Sequence, residues 1–151
     1  MQKAIIRRGE TKDVPYILEL IHQLAEYEKA LHEVELTQEQ LLVDGFGELP
    51  LYGLFVVEYQ EEIIGFALYF YRYSTWKGKT LYLEDLYVKP DYRQEGIGAR
   101  LFEILIKTAK EEKCRRMFWQ VLAWNEPAMN FYKKIGADLD AEWTNGHLVI
   151  E

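Results

Sequence analysis

The chain of 151 residues is short of several things, and each shortage closes off a class of protein. It has one cysteine, Cys114, so no intrachain disulfide can form and no C-x-x-C pair exists. Cys114 lies at the end of a helical pattern and reads as a packing residue rather than a nucleophile. Three histidines, His22, His32 and His147, are scattered without metal-ligand spacing. There is no basic excess: 18 Lys and Arg against 25 Asp and Glu leave a net charge of −7, which disfavours a general nucleic-acid binder. No apolar run approaches the ~20 residues that a membrane span needs. Lys3, Arg7 and Arg8 stand near the start without an apolar h-region, so no secretory leader is expected and a cytoplasmic location is.

What is present fits one folded domain over residues 1–151. The composition, 49% apolar and 28% charged, argues against disorder. Aromatics reach 15%, enough to line a cleft or a face between two copies of the chain. An acidic field suits a cationic small molecule, and equally serves solubility.

Residues 4–6 read as a first strand. Thr11 or Asp13 can cap a helix in which Val14, Ile17, Leu18, Ile21, Leu24 and Ala25 recur at helical spacing. That helix fades near Tyr27, Glu28 and Lys29. Thr37 and Gln40 form a capping box for a second helix, with Leu41 and Leu42 inward and residues 44–47 as its end. Residues 51–59 and 63–73 are strand-like around a turn at 60–62, and a second turn at 76–79 leads to a third strand, 80–88. Residues 99–112 show an apolar helical face of Leu101, Ile104, Leu105, Thr108 and Ala109. A strand at 116–122 follows. Asn125 caps a helix with Pro127 in its first turn, closing at Gly136. Residues 137–139 and 147–150 read as short closing strands. This order predicts a mixed α/β (α+β) fold: a mostly antiparallel sheet flanked by helices, with one parallel β-α-β crossover over 81–122.

Inside that crossover lies Arg93-Gln94-Glu95-Gly96-Ile97-Gly98. A glycine loop between a strand and a helix can turn backbone N–H groups toward an anion such as a pyrophosphate. A dinucleotide fingerprint fails, because Leu101 stands where a third glycine belongs. A P-loop fails too, because Ala99 and Arg100 replace its Lys-Ser/Thr.

In this context the loop resembles the acetyl-CoA motif of the GCN5-related N-acetyltransferase (GNAT) superfamily. Residues 83–88 before it and 124–137 after it support the likeness. Residues 24–28, 44–47, 74–78 and 81–85 resemble the diamine (spermidine/spermine-type) and thialysine N-acetyltransferase branch. The resemblance implies direct transfer from acetyl-CoA, as cosubstrate and without a metal, to a primary amine of a small cationic acceptor, polyamine-like or thialysine/lysine-like. It implies a homodimer, with neither nucleic acid nor membrane as partner. A protein lysine or N-terminal acetyltransferase and a non-catalytic acyl-CoA-binding module are the alternatives.

The resemblance also distributes roles. Tyr132 protonates the departing thiolate, and Glu84 takes the amine proton through water or binds the amine. Glu84 and Asp85 are neighbours on a strand, so both enter one cleft only if a bulge breaks the alternation; the family carries such a bulge here. Leu86, Tyr87 and Val88 offer backbone groups to the pantetheine arm. Gln94, Glu95, Gly96, Ile97, Gly98 and Ala99 cradle the pyrophosphate, and Arg93 contacts phosphate or braces the loop. Asn125 bonds the pantetheine arm, and Ala128 leaves room for it. Tyr27, Glu28, Asp85, Trp119, Gln120 and Glu142 are expected to contact the acceptor.

Overall fold

The computed structural model describes residues 3–150 as two compact units, residues 1–119 and residues 120–151 apart from the undescribed ends. In the first, β1 (Ile5–Arg8) leads through a 3₁₀ turn into α1 (Val14–Tyr27). Then come α2 (Gln38–Phe46), β2 (Gly53–Tyr59), β3 (Glu62–Ser74), β4 (Gly78–Val88), α3 (Ile97–Glu111) and β5 (Met117–Phe118). The sheet order is β1-β2-β3-β4-β5. The first three pairings are antiparallel, and β4–β5 is the expected parallel crossover. No helix among the described residues is long and apolar enough to cross a membrane.

One face of the sheet packs on α1 and α2. Val14, Ile17, Leu20 and Leu41 from the helices meet Leu54, Val56, Phe66 and Tyr87 from the strands, with Leu68 at the margin. Burial of such side chains is worth about 1.5–3 kcal/mol each, so this layer holds α1 against the sheet. The α2 capping box forms as expected, with Thr37 Oγ1 accepting from the Gln40 N–H at 3.2 Å.

The structure corrects four expectations. Thr11 and Asp13 do not cap α1 with their side chains. Asp13 instead accepts both guanidinium nitrogens of Arg7, at 2.8 and 2.9 Å, and the Glu10 N–H at 2.8 Å. Burial pushes its carboxyl pKa up, but the bonds from Arg7 outweigh this and hold it below the usual range. Leu42 is exposed rather than inward, because the next helical residue turns about 100° away from Leu41. The strand expected at 116–122 shrinks to Met117–Phe118, paired only with Leu81 and Tyr82. Residues 137–139 and 147–150 form no strand, and Leu148, Val149 and Ile150 are exposed: without a paired edge, alternation alone makes no ladder.

In the second unit, α4 (Glu126–Lys134) begins as expected, with Asn125 Oδ1 accepting from the Ala128 N–H at 3.4 Å. It closes at Gly136, whose φ of 90° suits glycine after a helix end.

Candidate active site

Strand β4 carries the acidic residues, and its register decides where they point. Pairing with β3 runs unbroken from Ser74 opposite Gly78 to Tyr69 opposite Leu83. It then skips: Leu68 stands opposite Asp85, and Glu84 has no partner. Glu84 is the extra residue of a β-bulge. Leu83, opposite Tyr69, faces away from the α1 layer, so Glu84 turns toward it. Asp85, opposite Leu68, faces that layer too. The bulge therefore puts two adjacent carboxylates on one face, which a regular strand forbids.

A third carboxylate joins them. Glu28 follows the last residue of α1, its N–H bonded to Leu24 O at 2.9 Å. Lys29, at φ 60°, then turns the chain away. Burial raises the pKa of Glu28. Burial, followed by the charges of Glu84 and Glu28, pushes Asp85 up to about 7. Tyr82 belongs to the same group: burial and then Glu84 raise its pKa, while Arg72 pulls it down. A carboxyl held near neutrality among carboxylates can both bind a cation and exchange a proton with it.

At the far end of β4 the chain enters the glycine loop. Arg93 Nε donates to Val88 O at 2.7 Å. Its guanidinium carbon lies 5.2 Å from the Tyr87 ring centre and 5.6 Å from that of Tyr27. Tyr87 is itself buried, and its hydroxyl donates to Gln23 Oε1 at 3.3 Å. Arg93 thus braces the root of the loop against the end of α1.

Beyond Arg93 the loop opens α3. Gln94 has φ 66°, and Gly96 precedes the helix in the left-handed region at φ 79°. No atom lies within 4 Å of the point where a Cβ on Gly96 would sit. The first backbone bond into the helix runs from the Arg100 N–H to Gly96 O at 3.0 Å. The N–H groups of Ile97, Gly98 and Ala99 come before it, at the positive end of the helix dipole. Open space over Gly96 and three leading N–H groups fit a pyrophosphate.

The other expected residues sit in separate settings. The Trp119 ring packs edge-on against Phe102 of α3, with centroids 5.4 Å apart. In the second unit, Tyr132 is half-buried on α4 with its ring 5.5 Å from that of Phe131. Gln120 Nε2 donates to Asn145 Oδ1 at 2.8 Å, and Glu142 is exposed with its N–H on Asp140 Oδ1 at 2.8 Å. Sequence reasoning passed over Tyr82 and Gln23. Tyr82 stands two residues before Glu84, and Gln23 one helical turn before Tyr27, so spacing could have drawn attention to both.

Comparison with known proteins gives the family. The family described as Acetyltransferase (GNAT) matches residues 17–137. A Bos taurus thialysine N-epsilon-acetyltransferase is 41% identical over 145 residues, covering 91% of this chain and 85% of the relative. A Homo sapiens spermidine/spermine N(1)-acetyltransferase-like protein 1 is also 41% identical over 145 residues, covering 91% of this chain but 21% of that longer protein. An aminoglycoside N-acetyltransferase solved in complex with CoA shares the fold at a TM-score of 0.78 and 18% identity, over 97% of this chain and 95% of its own. With a family match over residues 17–137 and relatives this similar, the chain belongs to the GNAT family and is an N-acetyltransferase.

Proposed function

We propose that the protein transfers the acetyl group of acetyl-CoA to a primary amine of a small cationic acceptor, by direct attack in a ternary complex. The bulge at Glu84 carries this reading, because it gathers Glu84 and Asp85 on the face that Glu28 also borders. The names of the thialysine and spermidine/spermine-type relatives support an acceptor of that kind.

Acetyl-CoA supplies the acetyl group as an activated thioester. The chain has to supply a neutral amine and a proton for the leaving sulfur. An alkylamine has a pKa of about 10.4, so deprotonating it near pH 7 costs roughly 4–5 kcal/mol. Glu84 accepts that proton through water, and Asp85 and Glu28 hold the cationic acceptor. As the C–N bond forms and the C–S bond breaks, the Tyr132 hydroxyl gives its proton to sulfur. The N–H groups of residues 94–99 hold the pyrophosphate, Arg93 keeps their loop in place, and Asn125 and Ala128 receive the pantetheine arm. Residues 1–151 act as one acetyltransferase domain, in a cytoplasmic homodimer.

Initial rates with acetyl-CoA across spermidine, diaminoalkanes, lysine, thialysine and aminoglycosides test the reading. Saturable turnover of at least one small amine is expected, with Glu84→Gln slower by about 10²-fold or more. Tight CoA binding without turnover of any amine would instead mark a binding module.

A further inference from the structure

One cation on the acidic face has no part in the proton transfers. Arg72 of β3 stands opposite Thr80, and Phe70 opposite Tyr82, so Arg72 shares the face of Tyr82, Glu84 and Asp85. Its guanidinium carbon lies 5.1 Å from the centre of the Tyr82 ring and 5.6 Å from that of Phe118. Arg7 is held by carboxylates and Arg93 by a carbonyl. Among the described residues the Arg72 guanidinium has no such partner, and the side chain is exposed. Two aromatic rings therefore position a fixed positive charge whose donors remain open.

We propose that Arg72 is a specificity-determining residue that selects acceptors carrying a carboxylate about one lysine length from the reacting amine. The assignment rests on the acetyl-transfer reading above, with the amine at Glu84. Tyr82, under the guanidinium, and Glu84 are two residues apart, about 7 Å at the rise of a strand. An extended lysine side chain spans a similar distance, about 7 Å, between its amine and its carboxylate carbon. The guanidinium fork matches a carboxylate in two parallel bonds. A diamine of the same length would bring an ammonium to the same place and meet a like charge. Glu28, Glu84 and Asp85 attract the reacting end of either molecule, so they do not separate the two; Arg72 does.

L-Lysine and 1,5-diaminopentane differ by the carboxylate alone and make the test. Wild-type protein is expected to favour lysine in kcat/KM. Arg72→Gln should lower kcat/KM for lysine about ten- to hundredfold, the scale of a lost charge-assisted bond, and raise it for the diamine. The loss should appear in KM for the amine, with KM for acetyl-CoA unmoved, and Arg72→Lys should recover part of it. An unchanged ratio in Arg72→Gln, or a wild-type preference for the diamine, overturns the assignment while acetyl transfer stands. Failure of the whole amine panel removes the acetyl-transfer reading, and the role of Arg72 with it.

Discussion

Strand β4 and helix α4 each hold one of the two groups proposed to move protons, and they hold them by different means. Glu84 is placed by register: the strand pairs along most of its length with β3, and the skip at Leu68 and Tyr69 turns one residue out of phase. Tyr132 is placed by a nine-residue helix, started by a single cap at Asn125 and carrying no fully buried side chain. The proposed acceptor end of the chemistry is thus built into the sheet of residues 1–119. The leaving-group end is proposed for a side chain of α4, within residues 120–151.

The sharpest way to probe this contrast is Tyr132→Phe. It removes one hydroxyl from α4 and should lower kcat by roughly 10²–10⁴, the range for a lost general acid, with CoA affinity nearly unchanged. Wild-type turnover at every pH would take Tyr132 out of its role. Next comes Gly96→Val at the root of α3. A β-branched residue at φ 79° is strained, and its side chain would fill the open space over the loop. Affinity for acetyl-CoA, measured by calorimetry, should fall about tenfold or more, at a cost of roughly 1–3 kcal/mol in stability. Unchanged affinity would count against the loop as the cofactor's cradle.

The smallest effect is expected at Asp85, and it reads through pH. Its carboxyl rises from an ordinary 3.8 to about 7, through burial and then through Glu84 and Glu28. The folded state therefore binds more protons than the unfolded state between those values. Stability falls as pH rises through this window and levels off above about 7. Asp85→Asn should flatten that part of the profile and raise Tm at pH 8 by a few degrees. The same titration bears on acceptor binding, since ionised Asp85 attracts a cation. KM for the amine should fall between pH 6 and pH 8 in the wild type and lose that dependence in the variant. A profile shared by both proteins would place the titration elsewhere.

Much of this is legible in the residues alone, and the division follows the range of each signal. The capping box at Thr37, the cap at Asn125, the end of α1 near Glu28 and the glycine loop are written within a few consecutive residues, and each formed where expected. The bulge is different. Nothing in Leu83-Glu84-Asp85-Leu86 says which residue lies out of phase, because that depends on Leu68 and Tyr69 across the sheet. Likewise β5 is short because, among the described residues, it pairs with Leu81 and Tyr82 alone, a tertiary fact. The position of Arg72 over Tyr82 and Phe118 also needs three strands in register.

The skip in β4 has a further consequence for how its sequence can change. Residues 78–83 and 85–88 each keep their own pairing with β3, and residue 84 alone stands between the two blocks. Residue 84 could be deleted and leave every other side chain of the strand on its present face. Removal of a residue from inside either block would invert the remainder and turn core positions toward solvent. The strand thus tolerates a change of length at the one position proposed as the proton acceptor, so its architecture by itself does nothing to retain Glu84, and only the proposed reaction would.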